Sequence, residues 1–216
     1  MNEKLLILAL VFLSSYLICD TVVTETSNYQ DIVITKENFD KIWFYFSKDP
    51  SKTQQSIQTG RILRIDREEP VLFKSAEEIF NSGVYSRAIE TYKKSAETQD
   101  WTEQHCYYKI AVCYQKMGKY AQAVSEYTNL LKKFPDTYYK ADANFNMGHC
   151  YMAARKWKQA YGSFVEAYKI YSKIEKNSSI SETNYWIGFV SESVKNYKGA
   201  IARYKAVIAE SKSNPE

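Results

Sequence analysis

The pattern of hydrophobic and polar positions divides the chain into three parts. An apolar run from Leu5 to Cys19, interrupted by two serines, opens the sequence. Residues 20–34 are polar and β-branched, and this composition predicts an extended tether. From about residue 70 onward the apolar stripes of amphipathic helices predominate. The pattern therefore predicts segments 1–19, 20–68 and 69–212.

The helical part repeats one pattern four times. A small residue, an aromatic residue nine positions later, an alanine three positions after that and a second aromatic four positions further on recur in every copy. These columns are Ala76, Ala111, Gly148, Gly188; Tyr85, Tyr120, Trp157, Tyr197; Ala88, Ala123, Ala160, Ala200; and Tyr92, Tyr127, Phe164, Tyr204. Successive copies are 35, 37 and 40 residues apart. Because one helix pair cannot bury its stripes alone, we expect the pairs to stack.

The repeat resembles the tetratricopeptide repeat, a helix pair with small residues where the helices touch. The second copy carries the resemblance best, with Ala111, Gly118-Lys119-Tyr120, Ala123, Tyr127 and Pro135. The third and fourth copies depart from it, since Arg155 and Lys195 replace the turn glycine. The resemblance implies an all-α solenoid of about four helix-turn-helix repeats, at about 69–103, 104–140, 141–180 and 181–212.

The links between copies show a narrower resemblance. Phe134-Pro135-Asp136-Thr137 and Tyr185-Trp186-Ile187-Gly188 are similar to segments of bacterial envelope repeat proteins of the Tol-Pal cell-division coordinator (YbgF-like) and BamD-like types. The coordinator has a coiled coil ahead of its repeats, whereas this chain shows no sustained heptad there. The resemblance implies a non-enzymatic scaffold or adaptor of the cell envelope whose partners are envelope proteins.

The N-terminal run predicts export. Its fifteen residues would span roughly 22 Å as a helix, which is short of the roughly 30 Å hydrocarbon core of a bilayer. A secretory signal peptide at residues 1–19 fits this length better. Cys19 directly follows the run, as the lipidated cysteine of a lipoprotein does. Ordinary cleavage, lipidation of Cys19 and an uncleaved membrane tether remain alternatives, and each predicts a periplasmic or membrane-associated protein.

The segment ahead of the repeats is predicted to be helical. Thr35 offers an N-cap to a short helix carrying Phe39, Ile42, Trp43 and Phe46, and a second helical candidate runs from Thr53 to Asp66. One interpretation is a degenerate helix pair that caps the solenoid. The other is a partner-binding arm, because four consecutive aromatic residues from Trp43 to Phe46 would point all round a helix.

Candidate binding residues lie on the first helix of each repeat, which lines the concave face in this architecture. Offsets from the small residue select Phe73, Phe80, Tyr108, Phe145, His149, Met152, Tyr185 and Phe189. Such a row of rings with sparse charge suits an apolar peptide or helix laid in a groove. The same rings are equally suited to packing against each other. A further alternative is self-association through the solenoid ends, where Val207 and Ile208 continue the apolar pattern.

Composition and motifs disfavour other classes of function. The formal net charge of +4 is too small to indicate a nucleic-acid surface. No phosphate loop, dinucleotide motif, nucleophile elbow or HExxH motif occurs, so no cofactor or catalytic residue is expected. His105-Cys106 and His149-Cys150 invite a metal interpretation, but small buried cysteines explain the pattern better. A Cys-His nucleophilic pair is disfavoured because adjacent helical residues point about 100° apart. No metal site is predicted.

Overall fold

A computed structural model describes residues 20–24, 26–66, 69–98 and 101–213. The apolar run with Cys19 lies outside these residues. The described chain forms an antiparallel β-sheet followed by a helical solenoid.

The described residues between 20 and 66 form five strands and their turns, so the predicted tether at residues 20–34, the predicted helical segment after it and the all-α class are wrong for this part of the chain. The strands are β1 (Asp20–Thr24), β2 (Asn28–Glu37), β3 (Lys41–Phe46), β4 (Gln55–Gln58) and β5 (Ile62–Asp66), with a short 3-10 turn at Thr59–Arg61 before β5. They pair antiparallel in the order β4-β3-β2-β1-β5. The region is rich in β-branched and aromatic residues, and Ile42 and Phe44 are buried on alternate positions of β3, which is the periodicity of a strand.

Eight helices follow among the described residues and confirm the predicted helical solenoid. They are α1 (Val71–Asn81), α2 (Tyr85–Ala96), α3 (Glu103–Lys116), α4 (Tyr120–Lys133), α5 (Lys140–Ala153), α6 (Trp157–Lys173), α7 (Asn177–Ser193) and α8 (Tyr197–Ser213). Each helix packs mainly on the next one along the chain. The four helix pairs coincide with the four copies of the sequence pattern.

Small residues and aromatic rings pack together inside each pair, as the columns suggest. Ala76 and Tyr92 belong to one core cluster, and Ala111 and Tyr127 belong to the next. A Cβ atom added to Gly148 would stand 2.6 Å from the ring of Phe164. Small residues therefore recur at this position because the ring on the second helix occupies the space that a larger side chain would need.

The turn inside each pair needs a left-handed backbone, whichever residue stands there. Gly83 and Gly118 have φ angles of 79° and 71°. Arg155 and Lys195, at the same place in the third and fourth copies, have φ angles of 55° and 63°. A side chain is strained in this region, whereas glycine is not.

We therefore expect Arg155→Gly to stabilise the chain by about 0.5–1 kcal/mol, because relief of the left-handed strain exceeds the entropy that glycine loses on folding. Gly118→Ala should destabilise it by about 1 kcal/mol for the same reason. Urea unfolding followed by circular dichroism measures both changes. The two substitutions must change the free energy of unfolding in opposite directions. Destabilisation by Arg155→Gly would contradict the explanation.

The sheet meets the solenoid through the turn between β2 and β3, called here the hairpin tip (residues 37–40). Phe39 packs against α5 and α6, and its backbone N–H donates to the carbonyl of Asp136 at 3.2 Å. The sheet has a core of its own around Val22, Ile32 and Phe44. The two parts therefore have separate cores, and the hairpin tip joins one to the other.

Candidate partner-binding groove

The first helices of the four pairs lie side by side and make one continuous face, called here the groove face (α1, α3, α5 and α7). Lys109 on α3 donates to Glu77 on α1 at 2.7 Å. Asn146 on α5 donates to the hydroxyl of Tyr108 on α3 at 3.0 Å. His149 on α5 and Trp186 on α7 have ring centroids 4.7 Å apart. These contacts join each first helix to the next.

At the N-terminal end of the groove face the predicted rings are covered. Phe73 is buried against Tyr92, Trp101 and His105. Phe80 is half-buried, with its ring 5.5 Å from that of Tyr85 and the Lys109 ammonium 4.8 Å from its centroid. These two residues contribute mainly to packing.

In the middle of the face, Tyr108 is covered by the link between the second and third pairs. Its ring stacks on Tyr139 with centroids 4.0 Å apart and an angle of 7° between planes. Burial raises the pKa of Tyr108 above its ordinary value, mainly because a phenolate would lose its hydration. The hydroxyl is therefore neutral and serves as a hydrogen-bond acceptor for Asn146.

Phe145, His149 and Met152 on α5 form the half-buried floor of the face. The His149 ring lies edge-on to Phe145 at 4.7 Å and to Phe164 at 5.1 Å. Burial lowers the pKa of His149, so the ring is neutral at neutral pH. Met152 packs beside the same cluster. The floor is therefore apolar, uncharged and continuous with α7.

On α7 the rings are open to solvent. Tyr185 is 46% exposed and Phe189 is 37% exposed. Trp186 stands between them, with ring centroids 5.1 Å from Tyr185 and 5.8 Å from Phe189. We call Tyr185, Trp186 and Phe189 the aromatic patch. The offsets from the small residue select Tyr185 and Phe189. They do not select Trp186, because the next residue along a helix points toward a neighbouring side.

The cysteine and histidine pairs are explained by packing. Cys106, Cys113 and Cys150 are buried, and among the described residues none of them forms a disulfide. Burial raises the pKa of Cys113 to about 12 and that of Cys150 to about 11, so neither is a thiolate at neutral pH. In the ranges that the structure describes, no group of three His, Cys, Asp or Glu side chains is placed to hold a metal ion.

The hairpin tip is a feature that sequence reasoning missed. It lies where the first helices begin, beside Gln104 and His105 of α3 and Lys140 and Ala141 of α5. The available signal was Asn38 between two β-rich runs, a residue type that favours turns. The predicted helix through Phe39 masked that signal.

Stacked helix pairs with a shared inner face define a helical-repeat solenoid, a class whose extended surfaces serve binding. The tetratricopeptide repeat family matches residues 105–137, the second copy of the pattern. The comparisons indicate no catalytic family. A comparison with curated proteins finds no match.

Solved structures share this fold at low sequence identity. MamA from Desulfovibrio magneticus RS-1 is 16% identical, with 67% of this chain and 76% of that chain covered and a TM-score of 0.56. BtubC from P. vanneervenii is 17% identical over 65% of this chain and 61% of that chain, with a TM-score of 0.58. PcrH in complex with the chaperone binding region of PopD is 14% identical over 56% and 90%, with a TM-score of 0.50. These likenesses support the solenoid fold.

Among the described residues, none of the helices combines the length and apolar character needed to cross a bilayer.

Proposed function

We propose that the protein is a non-enzymatic interaction scaffold or adaptor of the cell envelope, which binds a partner peptide or helix on its groove face. The aromatic patch carries the proposal. It exposes large rings beside an uncharged floor, and such rings act as anchors when a partner excludes water from them. The complex of PcrH with a segment of PopD shows that a solenoid of this general fold can bind a protein segment.

The patch suits an apolar helix or strand better than a charged tail. His149 is neutral, and two charges on the groove face, those of Lys109 and Glu77, are joined in an ion pair at 2.7 Å. Selectivity would then come from ring shape and from hydrogen bonds to the Tyr185 hydroxyl. The remaining predicted residues, from Phe73 to Met152, would position the patch by packing.

We expect Tyr185→Ala with Phe189→Ala to weaken partner capture at least tenfold, since losing a buried aromatic anchor removes about 1.4 kcal/mol or more. Helicity should be retained because both side chains are exposed in the free chain. Quantitative capture of envelope proteins by the immobilised chain measures the effect. The matched control is Tyr161→Ala, which removes an exposed ring from α6 on the second-helix side. Equal losses of partner capture in both variants would exclude the aromatic patch as the binding site.

The envelope setting rests on the apolar run at residues 5–19 and on the resemblance of the links. Fractionation of cells expressing the full chain, with N-terminal sequencing and mass spectrometry, tests it. Release of a chain beginning after residue 19, or a diacylglyceryl mass on Cys19, is the expected result. A cytosolic chain that retains Met1 would contradict the proposal.

A second candidate function is structural self-association through the solenoid end. Three large apolar side chains, Tyr197, Ile201 and Ile208, are exposed on α8 at spacings that place them on one helix face. Sedimentation of the chain at increasing concentration tests this alternative. Association that Ile201→Lys abolishes would support it, and a monomer at all concentrations would exclude it.

A further inference from the structure

The hairpin tip is held in one conformation by its own hydrogen bonds. The Asn38 side-chain oxygen accepts from the backbone N–H of Asp40 at 2.9 Å and of Lys41 at 2.7 Å. The Thr59 hydroxyl donates to the carbonyl of Phe39 at 2.6 Å, and the Thr59 N–H donates to that of Asp40 at 3.0 Å. The turn therefore presents the Phe39 ring to the solenoid in a preorganised form.

The Phe39 ring occupies an apolar pocket at the edge of the solenoid. It packs against a buried cluster of Ala141, Ala167, Ile170, Tyr171 and Ile174. The ammonium groups of Lys140 and Lys173 each lie 4.8 Å from the ring centroid. Lys173 also lies 3.5 Å from the Asp40 carboxylate. The pocket thus combines an apolar base with a cationic rim, which suits an aromatic residue next to an acid.

Glu37 fills a second, polar pocket on α3. Its carboxylate accepts from the Gln104 side chain at 2.8 Å and lies 3.2 Å from His105 Nε2. The side chains of Glu37 and His105 are only 8% and 13% exposed. His105 Nδ1 is 2.5 Å from the Tyr139 hydroxyl, so Nε2 carries the proton toward Glu37 when Tyr139 donates to Nδ1. The edge of the solenoid therefore has two adjacent pockets, one that binds an acidic side chain and one that binds an aromatic ring.

Two further contacts join the strand-rich part of the chain to the solenoid beside these pockets. Gly60, in the 3-10 turn before β5, lies so close to the carbonyl of Ile174 that an added Cβ would stand 1.7 Å from that oxygen. Arg61 and Glu175 form an ion pair at 3.6 Å with both side chains largely exposed, which adds little. A cavity of about 360 Å³ beside the tip, lined by Glu37, Trp101, Lys133 and Pro135, leaves room for further residues.

We infer that this edge of the solenoid is a recognition site for a short acidic peptide with an aromatic residue, in the order Glu-x-Phe-Asp, and that the hairpin tip is its intramolecular occupant. A partner segment of the same chemistry binds by displacing the tip. The observations are the paired pockets, their cationic rim and the separate cores of sheet and solenoid. The site is distinct from the aromatic patch and does not depend on the envelope setting.

The inference is tested with a fluorescent cyclic peptide of residues 34–42 and the full chain. In the native chain the tethered tip has an effective concentration of about a millimolar, so micromolar peptide cannot compete. Phe39→Ala empties the pocket, and we expect this variant to bind the peptide at least tenfold more tightly than the native chain. Fluorescence anisotropy measures the binding, and circular dichroism shows whether the variant is folded.

Matched variants separate recognition from nonspecific binding. Adding Lys140→Glu and Lys173→Glu to Phe39→Ala should reduce binding at least tenfold, and so should replacing the peptide's phenylalanine with alanine. Gly60→Ala opens the same site without removing Phe39, because the new methyl group meets the Ile174 carbonyl, and serves if Phe39→Ala does not fold.

Two results would overturn the inference. The first is a folded Phe39→Ala or Gly60→Ala chain that binds the peptide no better than the native chain. The second is a native chain that dimerises by exchanging its hairpin, since the site would then recognise a second copy. Neither result affects capture by Tyr185 and Phe189, so failure here is distinguishable from failure of the proposed groove.

Discussion

Raising the pH from neutral to about 12 is expected to unfold the solenoid cooperatively. Tyr92, Tyr127 and Tyr171 are buried, and burial raises the pKa of each hydroxyl above the ordinary value of 10.0. The pKa of Tyr92 is raised further by its hydrogen bond to Glu77, and that of Tyr171 by the charge of Asp142. The folded chain therefore keeps these protons at a pH where the unfolded chain has released them.

The direction follows from proton binding. Below pH 10 both states hold the protons, and stability is unaffected by these groups. Above it the folded state binds more protons than the unfolded state, so the free energy of unfolding falls by about 1.4 kcal/mol per pH unit for each group. Because three such groups act together, the free energy of unfolding falls by several kcal/mol as the pH rises above 10, which is comparable with the whole stability of an ordinary domain, about 5–15 kcal/mol.

The measurement combines tyrosinate absorbance with far-ultraviolet circular dichroism along a pH titration. We expect the absorbance of the buried tyrosines to rise together with the loss of helical signal. Tyr127→Phe should reduce the slope of unfolding free energy against pH by about 1.4 kcal/mol per unit, whatever it does to stability at neutral pH. Full ionisation with the helical signal intact would contradict the prediction.

The solenoid was predictable from sequence because its determinants are local and repeated. The small residue and the aromatic residue that fill one helix contact recur at fixed spacing, as in Ala111 with Tyr127 and Gly148 with Phe164. Four agreeing copies reinforce a pattern that a single copy would leave ambiguous. The turn conformation was preserved even where Arg155 and Lys195 replace glycine, because the packing of both flanking helices fixes the backbone.

The sheet was not predicted because its determinants are distant in sequence. Phe39, Ile42, Trp43 and Phe46 fit a helical stripe, yet Ile42 and Phe44 are the buried residues of β3. Strand β1 pairs with β5, placing Val22 opposite Ile65, a contact that no local window contains. Pairing of several strands outweighed the local helical spacing.

The groove face was predicted only in part because link residues decide which rings stay open. One offset selects Phe73, Tyr108 and Tyr185 as equivalent, but Trp101 and Tyr139 from the links cover the first two. Tyr185 on the last pair has no such cover among the described residues and remains exposed. The repeat columns thus locate the face, whereas the irregular links determine its accessible area.

Gly148→Ala is expected to destabilise the chain by about 1–3 kcal/mol, at the upper end of that range. Its Cβ would stand 2.6–2.7 Å from three ring atoms of Phe164, far inside van der Waals contact. The fully buried Phe164 ring cannot retreat, because Phe145, His149 and Trp186 pack around it. Alanine stands at the same place in the first two copies, and there the buried clusters are packed around its methyl group. Those two copies therefore do not contradict the expected loss at Gly148. Urea unfolding measures the loss.

Two glycine variants give this prediction its controls. Gly188→Ala brings a Cβ within 2.6 Å of Tyr204, but that ring is only partly buried on α8 and can move, so we expect a loss below about 1 kcal/mol. Gly162→Ala on α6 meets nothing within 4 Å and should stabilise the helix by up to about 1 kcal/mol. The difference between Gly148 and Gly188 follows from the freedom of the facing ring, and Gly162, which faces no ring, shows the effect of helix propensity alone. Equal losses at Gly148 and Gly188 would instead show that the helix backbones, not the rings, set the spacing of each pair.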